Sequence, residues 1–339
     1  MGEGKEHHYV SKFLLKNFSD DGIQINVYLC KEKKIQKASI SDQFKRRYLY
    51  GSKSSVIEKL LFADDIEDSF APKIREFEAG KQYNNTDIVK RFIMSQLVRT
   101  PLFLKHYENI YNYVNKAIIT DNVKNEALQL GIDDIIAEID PDKRYTIAIE
   151  SLQFINDFMP FFNSLDKLMV VTADNEFVIG EHPVIIFFAV QDMSKITDPT
   201  TVVAMPIAYN KYLFLYRSTD IKPKKHLNNS HVRMLNVYQL QQTTNIIACH
   251  NISENEIVDL DDEVTKNIRE NRLLRKIGDV EFLNTFQDLH YCWDGAFRDA
   301  FDIKAECYIR LSRDAEKTNN HNLKLTLEHV GKQENIIGG

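Results

Sequence analysis

Cysteine is scarce in this 339-residue chain: Cys30, Cys249, Cys292 and Cys307 stand apart, and no Cys-x-x-Cys pair occurs. A disulfide framework or a zinc knuckle is therefore not expected, and a reducing compartment, the cytoplasm, is the natural home. Long apolar runs are missing too. The longest, PVIIFFAV, is far too short to cross a bilayer. Lys12 and Lys16 interrupt the only early stretch that resembles a signal peptide, and Glu6 stands where a myristoylation signal takes Ser or Thr. A basic excess is also lacking. With a formal net charge of -6, nucleic acid or a nucleotide could be held only by a local basic patch. No Gly-x-Gly-x-x-Gly, P-loop or Gly-x-Ser-x-Gly sequence occurs, so a nucleotide cofactor and an esterase lose their usual support. Internal repeats and low-complexity segments are absent.

What is present is the material of a soluble globular fold. Apolar residues make up 43% and charged ones 27%, enough to build and solvate a sizeable core. Val10, Phe13, Leu14 and Phe18 recur at three- and four-residue spacing, which predicts a short helix with His7 and His8 at its entrance. GIQINVYL alternates with period two, and after the polar turn KEKK the segment IQKASI reads as the return strand of a hairpin. Helical patterns follow. One runs from about Ser54 to Ala79 with Gly80 as its stop, and one is capped at Thr86-Asp87 and ended by Pro101. HYENIYNYVNKAI and IDDIIAEID continue the series, and a last helix covers about Arg144 to Phe162.

The character changes at Leu168. LMVVTA, EFVIG, VIIFFAV, TVVAMPI and KYLFLYR are short β-rich segments, several apolar on both faces, as in central strands covered by helices. A helix from about Asn228 to Gln242 and a strand at IIACH follow. Helix-rich first and sheet-rich second predicts an α+β fold with a mostly antiparallel sheet. Residues 1–250 form its core, helical over about 53–163 and sheet-like over about 168–250. Residues 251–339 are a charged extension opened by a Ser253–Glu256 capping box, with AECYIRL and LKLTLEHV as a terminal hairpin and then a flexible tail. A protein partner or a second copy of the chain would dock on that extension.

Four clusters carry chemistry. His7 and His8 point in different directions, so one of them at most joins a given site, and a histidine at an edge is often only hydrogen-bonded there. In VIEKLLFADDIEDSF, Glu58 and Asp65 share a helix face with Glu67 on the adjoining turn. Paired carboxylates can hold a divalent cation or merely be solvated. Gln96 and Arg99 sit at the end of a buried helix, where arginine either complements the dipole or grips an anion bidentately. In FVIGEHPV, Glu181 and His182 stand on a turn between apolar segments, a rigidly supported place for a site. Tyr291 and Trp293 read as apolar anchors locking a C-terminal helix to the body.

These clusters, in this order, resemble the bacterial domain-of-unknown-function family numbered 4238. Its pattern opens with His-Tyr-Val-Pro and runs to Asn-Phe; here it reads His8-Tyr9-Val10-Ser11 and Asn17-Phe18, with serine in place of proline. Ile57-Glu58, Ile66-Glu67, Gln96, Arg99-Thr100-Pro101 and Leu235-Asn236 match in turn. Glu181 stands where the family has Asp, and Gly180 where it has a small hydroxyl residue. The resemblance covers about residues 7 to 250. It singles out His8 and sets His7 aside as surface, and it implies a residue set without a reaction.

Two functions fit that set. The first is metal-dependent hydrolysis of phosphodiester or nucleotide substrates, as in a nuclease of bacterial defence or a toxin. Glu58, Glu67 and Glu181 would ligate a divalent metal such as Mg or Mn, His8 would be ligand or general base, Arg99 would bind the substrate anion, and Gln96 would assist. The second is a non-enzymatic binding module in which the same residues form a salt-bridge network, with Arg99 paired to Glu67 or Glu181.

Overall fold

The computed structural model describes residues 6–51, 57, 66–84, 87–105, 107–108, 142–188, 201–217 and 221–268, with four short strands after them. Glu58, Asp65, Thr86, most of the two helical patterns within 106–141, Trp293 and the terminal hairpin lie outside the described residues.

The entrance of the chain is extended rather than helical. Strand β1 (Glu6–His8) pairs antiparallel with β4 (Lys45–Arg47), placing His7 opposite Arg46 and His8 opposite Lys45. The apolar spacing after it does make a helix, α1 (Lys12–Lys16), with Leu14 and Leu15 buried. Next comes the predicted hairpin of β2 (Gln24–Leu29) and β3 (Lys34–Ser39). Its third strand, β12 (Ile246–Cys249), arrives from more than two hundred residues downstream and pairs with β2. That closure buries Tyr28 on the face the alternation had assigned to solvent, where its hydroxyl meets Asp261 at 2.8 Å.

The acidic helix is shorter in its described part than its sequence suggests. After a π-type turn at Ile66–Glu67, α2 covers Asp68–Glu76. Gly80 ends the segment at φ +74, with the Lys225 stem where a side chain would stand. The short β5 (Gln82–Tyr83) leads to α3 (Asp87–Val98). Pro101 does not simply stop α3; it opens a new helical stretch over 101–105, whose start is capped by the Thr100 hydroxyl accepting from Phe103 N at 3.4 Å. Helix α4 covers Lys143–Phe162.

The sheet half holds β6 (Lys167–Ala173), β7 (Ile185–Phe188), β8 (Val202–Ala208), β9 (Lys211–Tyr216), β10 (Ile221–Pro223) and β11 (His226–Leu227). Helix α5 (Asn229–Gln241) precedes β12, and α6 (Glu254–Ile268) follows it. Beyond them lie β13 (Arg275–Ile277), β14 (Val280–Phe282), β15 (His290–Cys292) and β16 (Phe301–Ile303). His290–Cys292 is thus a strand, not the helix that Tyr291 was expected to anchor. The main sheet runs β11-β6-β9-β8-β7-β15, with β5 also on β6. Its pairings are antiparallel except β11 on β6 and β15 on β7. A separate pairing joins β16 to β10.

Strands that are apolar on both faces need cover on both, and they have it. Leu168, Val170, Leu213, Leu215, Val203 and Met205 face a core with Phe92 and Ile93 of α3 and Ile155 of α4. Met169, Val171, Tyr212, Phe214 and Phe187 face Val232, Leu235 and Tyr238 of α5. The fold is α+β: helices lie against both faces of a mostly antiparallel sheet, and the N-terminal three-stranded sheet is docked beside it.

Candidate functional site

The segment from His7 to Ser11 threads between α3, the 180–183 turn and the 243–245 loop. In extended chain successive side chains leave on opposite sides, so five consecutive residues reach different neighbours. His7 is fully buried and stacked on Tyr50, with ring centroids 5.2 Å apart. It is therefore not a surface residue: His7 and His8 are covered in β1, while Arg46 and Arg47 on the paired β4 stay exposed. His8 is also buried, and its carbonyl accepts from Arg99 Nη2 at 2.6 Å and from the Tyr50 hydroxyl at 3.5 Å. Burial, then the charge of Lys12, with Arg99 and Lys45 adding to it, lowers the imidazole pKa to about 4. His8 is neutral at physiological pH.

Ser11 is the centre of one polar cluster. Its hydroxyl donates to Glu67 Oε1 at 2.6 Å and accepts from Gln96 Nε2 at 2.7 Å and Arg99 Nη1 at 3.3 Å. One donor and two acceptor positions are the whole capacity of a serine hydroxyl. Its amide donates to Gln96 Oε1 at 3.3 Å. Arg99, 2% exposed, adds a charge-assisted bond from Nη1 to Glu67. Burial works against the guanidinium charge, but the Glu67 carboxylate outweighs it and raises the pKa of Arg99 further. Gln96 is fully buried, while the Glu67 side chain keeps 18% exposure and forms the outer lip of the cluster.

Tyr9 leads to a second cluster. Its hydroxyl donates to Glu181 Oε1 at 3.0 Å. The same carboxylate takes Thr244 N at 2.8 Å, Thr244 Oγ1 at 3.0 Å, Asn245 N at 3.0 Å and Asn245 Nδ2 at 3.0 Å. Glu181 therefore accepts from five donors on three residues. Burial pushes its pKa up, yet the bonds from Asn245 and Thr244 outweigh burial and hold it below the ordinary carboxylate range. Glu67 and Glu181 share no hydrogen-bond partner; they meet different residues of the 7–11 segment. Among the described residues no group of three or more His, Cys, Asp or Glu stands where it could hold a metal ion.

The 176–183 segment is not the strand predicted at EFVIG. It makes one isolated bridge, Ile179 with Ala248; Phe177 N donates to Tyr209 O at 2.6 Å, and other main-chain groups are met by side chains of α5 and of the loop after it. Asn236 Oδ1 accepts from Val178 N at 3.0 Å while its Nδ2 donates to Glu176 O at 2.9 Å. Gln239 Oε1 accepts from Gly180 N at 3.0 Å and its Nε2 donates to Pro183 O at 2.9 Å. Thr243 Oγ1 accepts from Glu181 N at 3.2 Å. Asn236 and Gln239 share one face of α5, and Thr243 continues the same spacing just past its end, where its hydroxyl donates to Gln239 O at 2.9 Å. The buried amides Asn236 and Gln239, three apart on one helix, are a signal present in the sequence, and Tyr9 falls within the His8-Tyr9-Val10-Ser11 match; Tyr50 and Thr244-Asn245 carry none.

Of the predicted site residues, Glu67, Gln96 and Arg99 are brought together around Ser11, His8 joins them by its main-chain carbonyl on Arg99, Glu181 is joined to them through Tyr9, and Glu58 lies outside the described residues. No helix among the described residues is long and apolar enough to cross a membrane.

No curated protein and no solved structure matches the chain. The model of a family described as "Protein of unknown function (DUF4238)" matches residues 6–253, which include both clusters and every element from β1 to β12. The chain belongs to the DUF4238 family.

Proposed function

We propose that the chain is a non-enzymatic binding module in which the two polar clusters fasten its N-terminal segment, and that the partner docks on the ribbon so held. The observation that carries this reading is the saturation of Glu181, whose carboxylate is met by five donors from the protein itself. A metal ligand needs a lone pair to offer, and an oxyanion clamp needs free N–H groups. Glu181 spends the first, and Arg99 directs three N–H groups inward to Glu67, Ser11 and the His8 carbonyl. A histidine with a pKa near 4 is also too weak a base to be well matched to proton transfer at neutral pH.

The docking surface is β4. Arg46 and Arg47 are exposed, and no described acid pairs with either. Arg47 lies over the Tyr48 ring at 5.4 Å, and Lys12 is exposed at the start of α1. Lys45 between them is neutralised by Glu6 and Asp42. Arg46 and Arg47 leave β4 on opposite sides; each guanidinium suits the bidentate geometry of a phosphate, and a repeating polyanion such as a nucleic-acid backbone can meet both.

Fluorescence anisotropy with labelled single- and double-stranded oligonucleotides across a salt series tests both halves. The expected result is micromolar binding with a log–log salt slope of about -2 to -3, for two or three phosphates, lost by roughly tenfold or more in Arg46→Glu/Arg47→Glu. Binding of polyglutamate alone would move the partner to an acidic protein. Metal-dependent oligonucleotide cleavage abolished by Glu67→Gln would restore the hydrolase reading and end this one.

A further inference from the structure

His250 follows β12 and takes no part in either cluster. Its Nδ1 lies 2.7 Å from Glu176 Oε1 and its Nε2 lies 2.7 Å from Asp20 Oδ1. A neutral imidazole has one N–H to give, so two ionised carboxylates at its two nitrogens call for both to be protonated. The ring lies flat on Tyr209, with centroids 4.1 Å apart and planes 18° apart, and an aromatic face favours a cation. Burial disfavours the charge, but the bonds to Glu176 and Asp20 outweigh it and raise the pKa above the ordinary 6.5.

Each neighbour comes from a different part of the chain. Asp20 belongs to the α1–β2 loop, Glu176 to the stretch after β6, and Tyr209 to the β8–β9 turn. The His250 carbonyl takes Asn26 Nδ2 of β2. The Asn251 amide lies 2.9 Å from Nδ1 and can present nitrogen or oxygen by turning over. The loop carrying Asp20 is otherwise docked here by Asn17, whose carbonyl takes Tyr209 N at 3.3 Å and whose Nδ2 reaches Ile207 O at 2.8 Å. At its far end Ile23 O accepts from Ile40 N at 2.9 Å, and within the loop Asp21 Oδ1 accepts from Ile23 N and Gln24 N.

We propose that His250 is a proton-operated latch: the imidazolium fastens the α1–β2 loop to the end of β12, and loss of its proton releases Asp20. Asp20 is the arm that opens, because its side chain is 81% exposed, against 21% for Glu176. Glu176 is also held by Asn251 N at 2.6 Å. The folded state binds this proton more tightly than the unfolded chain. The latch therefore stabilises fully below pH 6.5 and fades as pH rises through the folded-state value.

An NMR titration of the imidazole protons on the full chain tests the latch, with His250→Gln identifying the resonance. Thermal unfolding of wild type and Asp20→Asn across the same pH range supplies a second readout. His250 is expected to titrate above 6.5 and to fall towards it in Asp20→Asn. The melting temperature of wild type should exceed that of the variant at low pH, and the gap should close as pH rises. A ring that titrates at or below its ordinary value, or a gap that does not change with pH, would overturn the latch.

Discussion

Ser11 organises its surroundings with one hydroxyl and one amide, and it stands where the family pattern has proline. Its φ of -60° suits a proline ring, so Ser11→Pro fits the backbone while deleting the N–H to Gln96 and the hydroxyl shared by Glu67, Gln96 and Arg99. Loss of about 1–3 kcal/mol is expected in urea unfolding, with Ser11→Ala losing less because it keeps the amide. His8 makes a prediction in pH. Its folded pKa of about 4 lies below the ordinary 6.5, so the unfolded chain takes up the proton first as pH drops. Stability should be complete above 6.5 and fall between 6.5 and about 4, and His8→Asn should lose that fall in acid titrations followed by circular dichroism. The sequence offered the right residue types here, because carboxylate, amide and guanidinium beside an apolar face are visible in one dimension. It could not show that Ser11 would use up their bonding capacity.

At the scale of elements, the polar face of α5 replaces a neighbouring strand. Period-two reading finds Phe177 and Ile179 in EFVIG and predicts a strand, since it sees side-chain burial and not where the main-chain groups bond. Asn236 and Gln239 of α5, with Thr243 just past its end, take the amides of Val178, Gly180 and Glu181 instead. Gly180 has to be glycine for this close approach: a Cβ there would stand 2.3 Å from Thr243 Oγ1 and 2.9 Å from Gln239 O. Gly180→Ala should cost about 1–3 kcal/mol by forcing the segment off α5, and amide exchange at Val178 and Gly180 should rise together. By contrast, β2, β3, β6, β8, β9 and α5 were legible to within a residue or two, because each is long enough for its period to show; burial followed the pattern less closely in the hairpin, where Ile23 is exposed and Tyr28 is buried. The pairing of β12 with β2 was not legible, because strand partners far apart in sequence leave no local trace.

Across the whole molecule, the N-terminal segment is held from both halves of the fold: α2 and α3 through Glu67, Gln96 and Arg99, and the sheet side through Glu181. A net charge of -6 does not advertise the Arg46–Arg47 surface, which emerges only once Lys45 is seen to be neutralised and its neighbours exposed. Binding there should weaken steeply with salt, as the oligonucleotide experiment reads directly. The central claim, that these polar residues hold the fold rather than perform chemistry, is tested most directly by the unfolding free energy of Glu67→Gln in urea. A catalytic carboxylate is commonly held at a cost to stability, so its removal leaves the fold as stable or more so. A structural partner of a buried guanidinium does the opposite. The account predicts a loss of about 2–4 kcal/mol; stability equal to or above wild type would contradict it.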